Sequence, residues 1–537
     1  MQDLLITNTH LFRPFHPANN KLFQVRINDG RIVSIEENGY DKGKAEVFNA
    51  KGRFLAASFK DSHIHLLRFS LMHKERDLRR VHTWKHLQEL LKDESNRVSM
   101  QSNEWLIGRG LTDNHFKDRQ DPLTAQDLDY LNIDRPIFLL HQDGHECVLN
   151  SPAMAIVRKK KTFEKTHSAF IEKDSQGNWT GRFKDTAVHF IKMNFRAKEV
   201  PEAKAALAES FSFLAEYGIT HVDSDDLNYL GTYDKVWQAY TELDQEVGLT
   251  FGAYLHHYVY SIEDMKDYLK KHNKRTGDGE GNVRVGAFKI FVDGTYRLHT
   301  AALNLPYHDQ GTYGTLIYEQ DELNEMLKLA EDNHMQVAMH CIGDRAVETA
   351  AKAILHANPN RNPMRHRIIH MQNTRWDLLR MLYRQNIPVE TQPAFIQKEY
   401  AEYSQWLGED RARLAMVGRC MVDNNIIFTS SSDAPIGPLN PHEHIFTAVN
   451  RTNDNGEPEG GWQPQEKITV DEAYESYCTT PAYINHSDQN TGRLLPGYEA
   501  DLMLLEENPS EIDKSSLNKL KVDALWYKGK MVFDRYD

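Results

Sequence analysis

From about Pro201 onward, helix-patterned and strand-patterned segments alternate along the chain, and this alternation restricts the fold more than any other feature. Leu207, Phe211 and Leu214 recur at helical spacing, Gly218 supplies a stop, and Ile219-Thr220-His221-Val222-Asp223 follows as a strand. The unit repeats. Leu323, Met326, Leu327 and Ala330 line one helix face before the strand at 335–340; Ala346 to Leu355 is helical before Arg367-Ile368-Ile369-His370. A helix over Trp376 to Arg384 precedes Ile387-Pro388-Val389-Glu390-Thr391, and Asn425 to Ser430 is a further strand that ends near Asp433. Such alternation builds a parallel sheet covered by helices. When that sheet closes into a barrel, the carboxyl-terminal strand ends meet at one mouth, where residues distant in sequence surround one substrate.

Both ends of the chain read differently. Val25 and Ile27 precede Asn28-Asp29-Gly30, with Ile32, Val33 and Ile35 after it, as in a hairpin with a two-residue turn. Near the far end, Ala500 to Leu505 is a strand, and Ala524 to Tyr527 meets Met531-Val532-Phe533 across Lys528-Gly529-Lys530. Neither end buries a sheet face alone, so the two are expected to pair into one small β-sandwich. The expected architecture is α/β: a parallel sheet with helices in the middle of the chain, and a sandwich from 1–57 and 488–537. Between 66 and 200 only a helix at Trp84 to Leu91 and a strand at Pro136 to His141 are legible, without an internal boundary, and 273–282 reads as a polar surface loop.

Charge narrows the partners. Lysine and arginine number 64 against 77 acidic residues, a net −13, and no run of five consecutive basic residues occurs. A nucleic-acid or anionic-membrane footprint is therefore not expected, and the partner is a small-molecule substrate. No apolar run reaches the ~18 residues of a membrane span, and the start lacks the pattern of a signal peptide, so a cytoplasmic location is expected. Cys147, Cys341, Cys420 and Cys478 form no Cys-x-x-Cys pair and read as buried apolar residues. Histidine, 26 in number, is the conspicuous residue, because imidazole both binds metals and carries protons near neutral pH.

Asp61-Ser62-His63-Ile64-His65 follows an apolar stretch, and in extended chain His63 and His65 offer two ring nitrogens on one face. His442-Glu443-His444 has the same spacing but no strand before it, and reads as a loop leading into a helix. Lys289 stands inside the apolar strand Gly286 to Gly294, where burial strips a proton from an amine; pairing with Asp293 or an outward-pointing side chain are the alternatives. His340 and His370 end successive strands, each equally a histidine satisfied by a backbone carbonyl. Asp433, before Ala434-Pro435, is equally a turn former.

Taken together, this order resembles the metal-dependent amidohydrolase superfamily and, more narrowly, its N-substituted formamide deformylase-like branch, amidohydrolase family 3. The resemblance is carried by Asp61-Ser62-His63-Ile64-His65, Lys289 to Gly294, His340 to Ala346, Arg365 to His370 and Ser432 to Pro435, with Gln142-Asp143-Gly144-His145 and Leu495 to Leu502 besides. It implies a distorted TIM (β/α)8 barrel over 58–487 with insertions, and His63, His65, Lys289, His340, His370 and Asp433 as ligands of one or two divalent ions, zinc first. Lys289 would match a lysine that many relatives carry as an N-carboxylated bridge, and Asp433 the late-strand proton shuttle. Ile369 replaces an acidic residue expected there, and Thr295-Tyr296-Arg297-Leu298-His299 replaces smaller residues, with Arg297 and His299 as substrate contacts or surface loop. A homodimer stays open.

The implied reaction is hydrolysis of a non-peptide C–N bond, an acyclic amide, formamide or carbamate, by a metal-activated hydroxide. Asp433 would serve as base and then acid, and His145 would hold the tetrahedral oxygen or the substrate. Cyclic amide opening or deamination on the same fold is the alternative, and a non-catalytic binding protein a more distant one. Rossmann, phosphate-loop, zincin and serine-elbow templates find no match.

Overall fold

The computed structural model describes residues 3–17, 20–39, 43–72, 76–97, 105–113, 116–195 and 198–536. Two compact units form: Met1–His65 with Ala208–Asp225 and Tyr240–Asp537, and Leu66–Leu207 with Asp226–Ala239.

The first unit contains the barrel. Its strands, in chain order, are β1 (Phe59–Ile64), β2 (Ile219–Ser224), β3 (Gly252–Tyr258), β4 (Val283–Phe291), β5 (Val337–Cys341), β6 (Arg367–His370), β7 (Val389–Thr391) and β8 (Phe428–Ser430). Each pairs in parallel with the next, with Lys289 opposite Ala338 and Cys341 opposite His370. In β4 every residue except Arg284 is buried, as expected of a strand covered on both faces. The helices Gln320–Asp332, Asp344–Ala357 and Trp376–Gln385 lie where the periodicity places them. Strand β8 begins later than the apolar run, because Asn425 adopts a left-handed φ of 53° and its N–H donates to Val422.

Side chains and main chain close the ring between β8 and β1. Ser62 Oγ and Thr429 Oγ1 are 2.8 Å apart, Asp433 N–H donates to the His63 carbonyl at 2.8 Å, and His65 N–H donates to Ala434 at 3.0 Å. The same bonds that close the sheet thus bring the segment after β8 against the His-x-His segment.

Both chain ends join one eight-stranded sheet in the order Lys530–Asp534, Val522–Tyr527, Leu502–Leu505, Phe54–Ala57, Asp3–Leu11, Phe23–Asn28, Arg31–Glu37, with Glu46–Asn49 also on Asp3–Leu11. Asp3–Leu11 shifts register between Ile6 and Thr9, where Asn8 is left-handed, and its parallel partner changes there from Glu46–Asn49 to Phe54–Ala57. Leu4, Ile6, Val25, Leu55, Leu502, Leu504 and Trp526 share its core. The two tight hairpins turn at Asp29-Gly30 and Lys528-Gly529, all four residues at positive φ as such turns require.

The second unit was largely illegible in the sequence. It holds a six-stranded sheet in the order Ile171–Lys173, Trp179–Lys184, Glu146–Leu149, Ile137–His141, Leu106–Leu111, Arg76–Asp77. Its strands lack clean alternation because they bury charge: Arg182 donates to Asp113 at 2.6 Å and approaches Glu146 at 2.7 Å, all three buried. Leu87, Leu106, Leu128, Leu139 and Val148 form its apolar core. The four cysteines are buried, and among the described residues no helix is long and apolar enough to cross a membrane.

Candidate metal centre

The barrel mouth is assembled from β1 outward. His63 is buried within β1 and His65 follows it half-buried. His65 Nδ1 faces the Asp225 carbonyl at 3.1 Å, which turns Nε2 toward Asp433. The Asp433 Oδ1 atom lies 3.1 Å from His65 Nε2 and 3.4 Å from His63 Nε2. These three residues present ligand atoms within 4.8 Å of one another. Asp61 is the brace beneath them: its carboxylate accepts from the N–H of Ser432 at 3.0 Å, from the Ser432 hydroxyl and from the N–H of His63. Burial pushes its carboxyl up to about 7, against those hydrogen bonds.

Lys289, fully buried in β4, places Nζ 3.5 Å from His63 Nε2. It neither points outward nor pairs with Asp293, whose carboxylate instead accepts the N–H groups of Ala302, Ile342 and Gly343 at 2.8–2.9 Å. Burial lowers the Lys289 pKa, with the charges of Asp225, Asp433 and Glu390 opposing. His63 is held well below the ordinary imidazole range, first by burial and then by Lys289. For Asp433 burial acts upward, but the neighbouring His65 imidazole, with His370 and Lys289, holds the carboxyl below its usual value.

His370 ends β6 with its ring centre 5.5 Å from that of His63 and 4.6 Å from that of His340. Its Nδ1 meets Gln392 Oε1 at 2.8 Å, and Gln392 in turn donates to Ser431 Oγ at 2.8 Å. His340 Nε2 lies 3.1 Å from the Gly294 carbonyl, the backbone contact that the sequence left open as its alternative. Thus His63, His65 and Asp433 come into ligand range, Lys289 packs on His63, and His370 bridges the rings of His63 and His340. Two of the carriers have strained left-handed backbone, His370 at φ 80° and Asp433 at φ 51°, a conformation that persists where surroundings over-determine it.

Below the mouth, the barrel interior holds a charged layer that sequence reasoning missed. The buried guanidinium of Arg367 reaches Glu390, Asp223 at 3.0 Å, His256 Nε2 at 3.2 Å and Gln336 at 3.3 Å. Asn485 donates to the second oxygen of Asp223 at 2.7 Å. Burial raises the Asp223 carboxyl to about 8 and raises Glu390 as well, each opposed by Arg367. Which of these residues share a layer follows from strand register.

Other candidates within the first unit lie apart from this site. His442 and His444 lie inside the helix Pro441–Asn450, not in a loop before it; His442 bonds Tyr474 and His444 the Pro438 carbonyl. His299 pairs with Asp309 at 3.0 Å, and Tyr296 is buried, its hydroxyl on Asn373 at 2.6 Å. His221, Glu499 and Asp501 form a second cluster of ligand-type atoms, but Lys60 Nζ stands 2.7 Å from His221 and 3.6 Å from Asp501, so a lysine side chain already fills it. His145 belongs to the second unit, where its Nδ1 meets Asp185 Oδ1 at 2.9 Å.

The donor set itself tests the expectation of a metal. Asp433 Oδ1 is buried between two imidazole nitrogens with no hydrogen bond of good geometry among the described residues. Imidazole and carboxylate together suit a borderline divalent ion, so these residues fit one.

Residues 46–533 match the model of the Amidohydrolase family. The Bacillus subtilis protein YtcJ is 28% identical over 504 residues, spanning 92% of each chain. N-substituted formamide deformylase from Arthrobacter pascens is 23% identical, covering 100% of this chain and 99% of its own. An uncharacterised metal-dependent hydrolase from Pyrococcus horikoshii superposes with a TM-score of 0.76 at 21% identity, over 96% of this chain and 99% of that one.

Proposed function

The chain belongs to the amidohydrolase family, hydrolases of carbon–nitrogen bonds, and from that premise we propose that it cleaves an acyclic amide, formamide or carbamate of a small molecule in a metal-dependent reaction. The observation that carries this reading is the Asp433 carboxylate set between the Nε2 atoms of His63 and His65, with Lys289 alongside. The full-length likeness to a formamide deformylase supports the acyclic substrate over cyclic amides and aminated bases.

In this reading His63, His65 and Asp433 hold a divalent ion, zinc first, with His340, His370 and an N-carboxylated Lys289 completing a one- or two-ion site. Such an ion supplies positive charge that acidifies a water and polarises the carbonyl. Asp433 takes the proton from the attacking water at a carboxylate oxygen and passes it to the departing nitrogen. Its depressed pKa keeps it ionised and ready to accept. Buried Lys289, with its lowered pKa, has access to the neutral amine that reacts with carbon dioxide. Asp61 and Gln392 orient the histidines through Ser432, the His63 amide and His370 Nδ1. In the same reading His145 would hold the tetrahedral oxygen or the substrate.

The test is elemental analysis of the purified protein, with turnover on formamides, other acyclic amides, carbamates, ureas, cyclic imides and aminated bases before and after chelation. Stoichiometric metal, loss of turnover on chelation and preference for acyclic substrates are expected. A metal-free active enzyme overturns the metal, and activity confined to cyclic imides or bases overturns the substrate class.

A further inference from the structure

The second unit holds an acid–imidazole pair that the metal centre does not explain. His145 immediately precedes the strand Glu146–Leu149, and Asp185 immediately follows Trp179–Lys184. Those strands pair antiparallel with Glu146 opposite Lys184, so the two residues stand together at the end of one ladder. Main-chain bonds fix both: Asp185 N–H donates to the His145 carbonyl at 2.7 Å, and His145 N–H donates to Asp143 Oδ1 at 2.9 Å. Across this clamp, Asp185 Oδ1 lies 2.9 Å from His145 Nδ1.

Two features of Asp185 argue for more than a helix start. It is buried with Oδ2 lacking a hydrogen-bond partner among the described residues, so the side chain directs its bonding to the imidazole. Its φ of 41° is left-handed, a conformation held at the expense of backbone strain. An acidic residue placed only to complement the dipole of the helix Asp185–Phe195 requires neither burial nor that backbone.

We infer that Asp185 is the positioning residue of His145, which it holds in the form with the proton on Nδ1. This rests on the reading that places His145 at the substrate carbonyl. An ionised carboxylate only accepts hydrogen bonds, so Nδ1 carries a proton in either charge state of the ring. Nε2 is then the nitrogen that exchanges one. Without a proton it accepts an N–H of the substrate; with one it donates to the tetrahedral oxygen, with Asp185 as counter-charge, the division of labour of an Asp–His pair in a hydrolase triad.

The pair is tested on the full chain with 15N-labelled histidine, using His145→Gln to identify the His145 signals by their loss. Protonated Nδ1 is expected in the wild type at neutral pH. Asp185→Gly keeps a backbone that tolerates positive φ and removes the acceptor; the proton should move to Nε2 and kcat fall about 10- to 100-fold with a smaller change in KM. Asp185→Asn can turn its NH2 toward Nδ1 and so favours the tautomer with the proton on Nε2; it should lose rate as Asp185→Gly does, and it serves as the second variant if the glycine form does not fold. A bare Nδ1 in the wild type, or an unchanged ring and rate in Asp185→Gly, overturns the inference. Full turnover in His145→Gln overturns instead the reading of His145 at the carbonyl, and the ring signals still report whether Asp185 holds it.

Discussion

Lys289 Nζ and His63 Nε2 are 3.5 Å apart in the interior of the barrel, although 226 positions of chain separate them. Both groups are buried, which works against charge on each, and Lys289 further depresses the charged form of His63, since two cations at this distance in a poorly solvated interior repel. The contact therefore favours a neutral amine beside a neutral imidazole, the forms in which each is a nucleophile or ligand.

Replacing Lys289 tests that pairing. Lys289→Met conserves length and burial, so the fold should persist, while metal content falls below that of the wild type and turnover drops at least about 100-fold. Elemental analysis beside steady-state kinetics reads both. Wild-type metal content with wild-type kcat would exclude Lys289 from the site.

Gln392 is predicted to matter through His370. Gln392→Leu removes the acceptor 2.8 Å from His370 Nδ1 and lets the ring turn, so metal affinity or kcat should fall about 10- to 100-fold. Competition with a chelator of known affinity measures the first. The melting temperature should change far less than in the next case.

Arg367 is predicted to matter for stability. Arg367→Met leaves Glu390 and Asp223 buried without their cation, which should destabilise by about 3–5 kcal/mol. Arg367→Met combined with Glu390→Gln should recover part of that loss, because fewer charges are stranded. Differential scanning calorimetry of the three proteins checks the order.

His442 supplies a pH-dependent signature. Burial holds its pKa at about 3, while in the unfolded chain it lies near 6.5. Above 6.5 neither state is protonated and the residue contributes no pH dependence. As pH falls from 6.5 toward 3, the unfolded state gains a proton that the native state refuses, so stability declines by about 1.4 kcal/mol per pH unit. His442→Gln, able to keep the bond to Tyr474, should lack this slope. The difference in melting temperature between variant and wild type should be flat above pH 7 and shift toward the variant below pH 6.

Several features were already legible in the chain. Helix faces such as Leu323, Met326, Leu327 and Ala330, the hairpins at Asp29-Gly30 and Lys528-Gly529, and the polar residues at strand ends depend on local periodicity and local backbone preference. The pairing of the two chain ends followed from each being too small to bury a face alone, and Leu55 beside Leu504 in one core bears that out. The candidate ligands were visible for the same local reason, each standing where an apolar run stops except Lys289, which interrupts one.

Partnership was not legible, because it depends on register and closure. That Lys289 would meet His63 rather than Asp293 was decided when three backbone N–H groups claimed the Asp293 carboxylate. Gln392, Asp61 and the Arg367 layer gain their roles from neighbours tens to hundreds of positions away, and the sheet between Leu66 and Leu207 hides its pattern by burying paired charges. Sequence by itself determined which segments become helix or strand and which residue types stand at their ends. Tertiary structure alone decided which of those side chains touch, since a hydrogen bond or ion pair is set by distance in space and the chain's own order carries no measure of it.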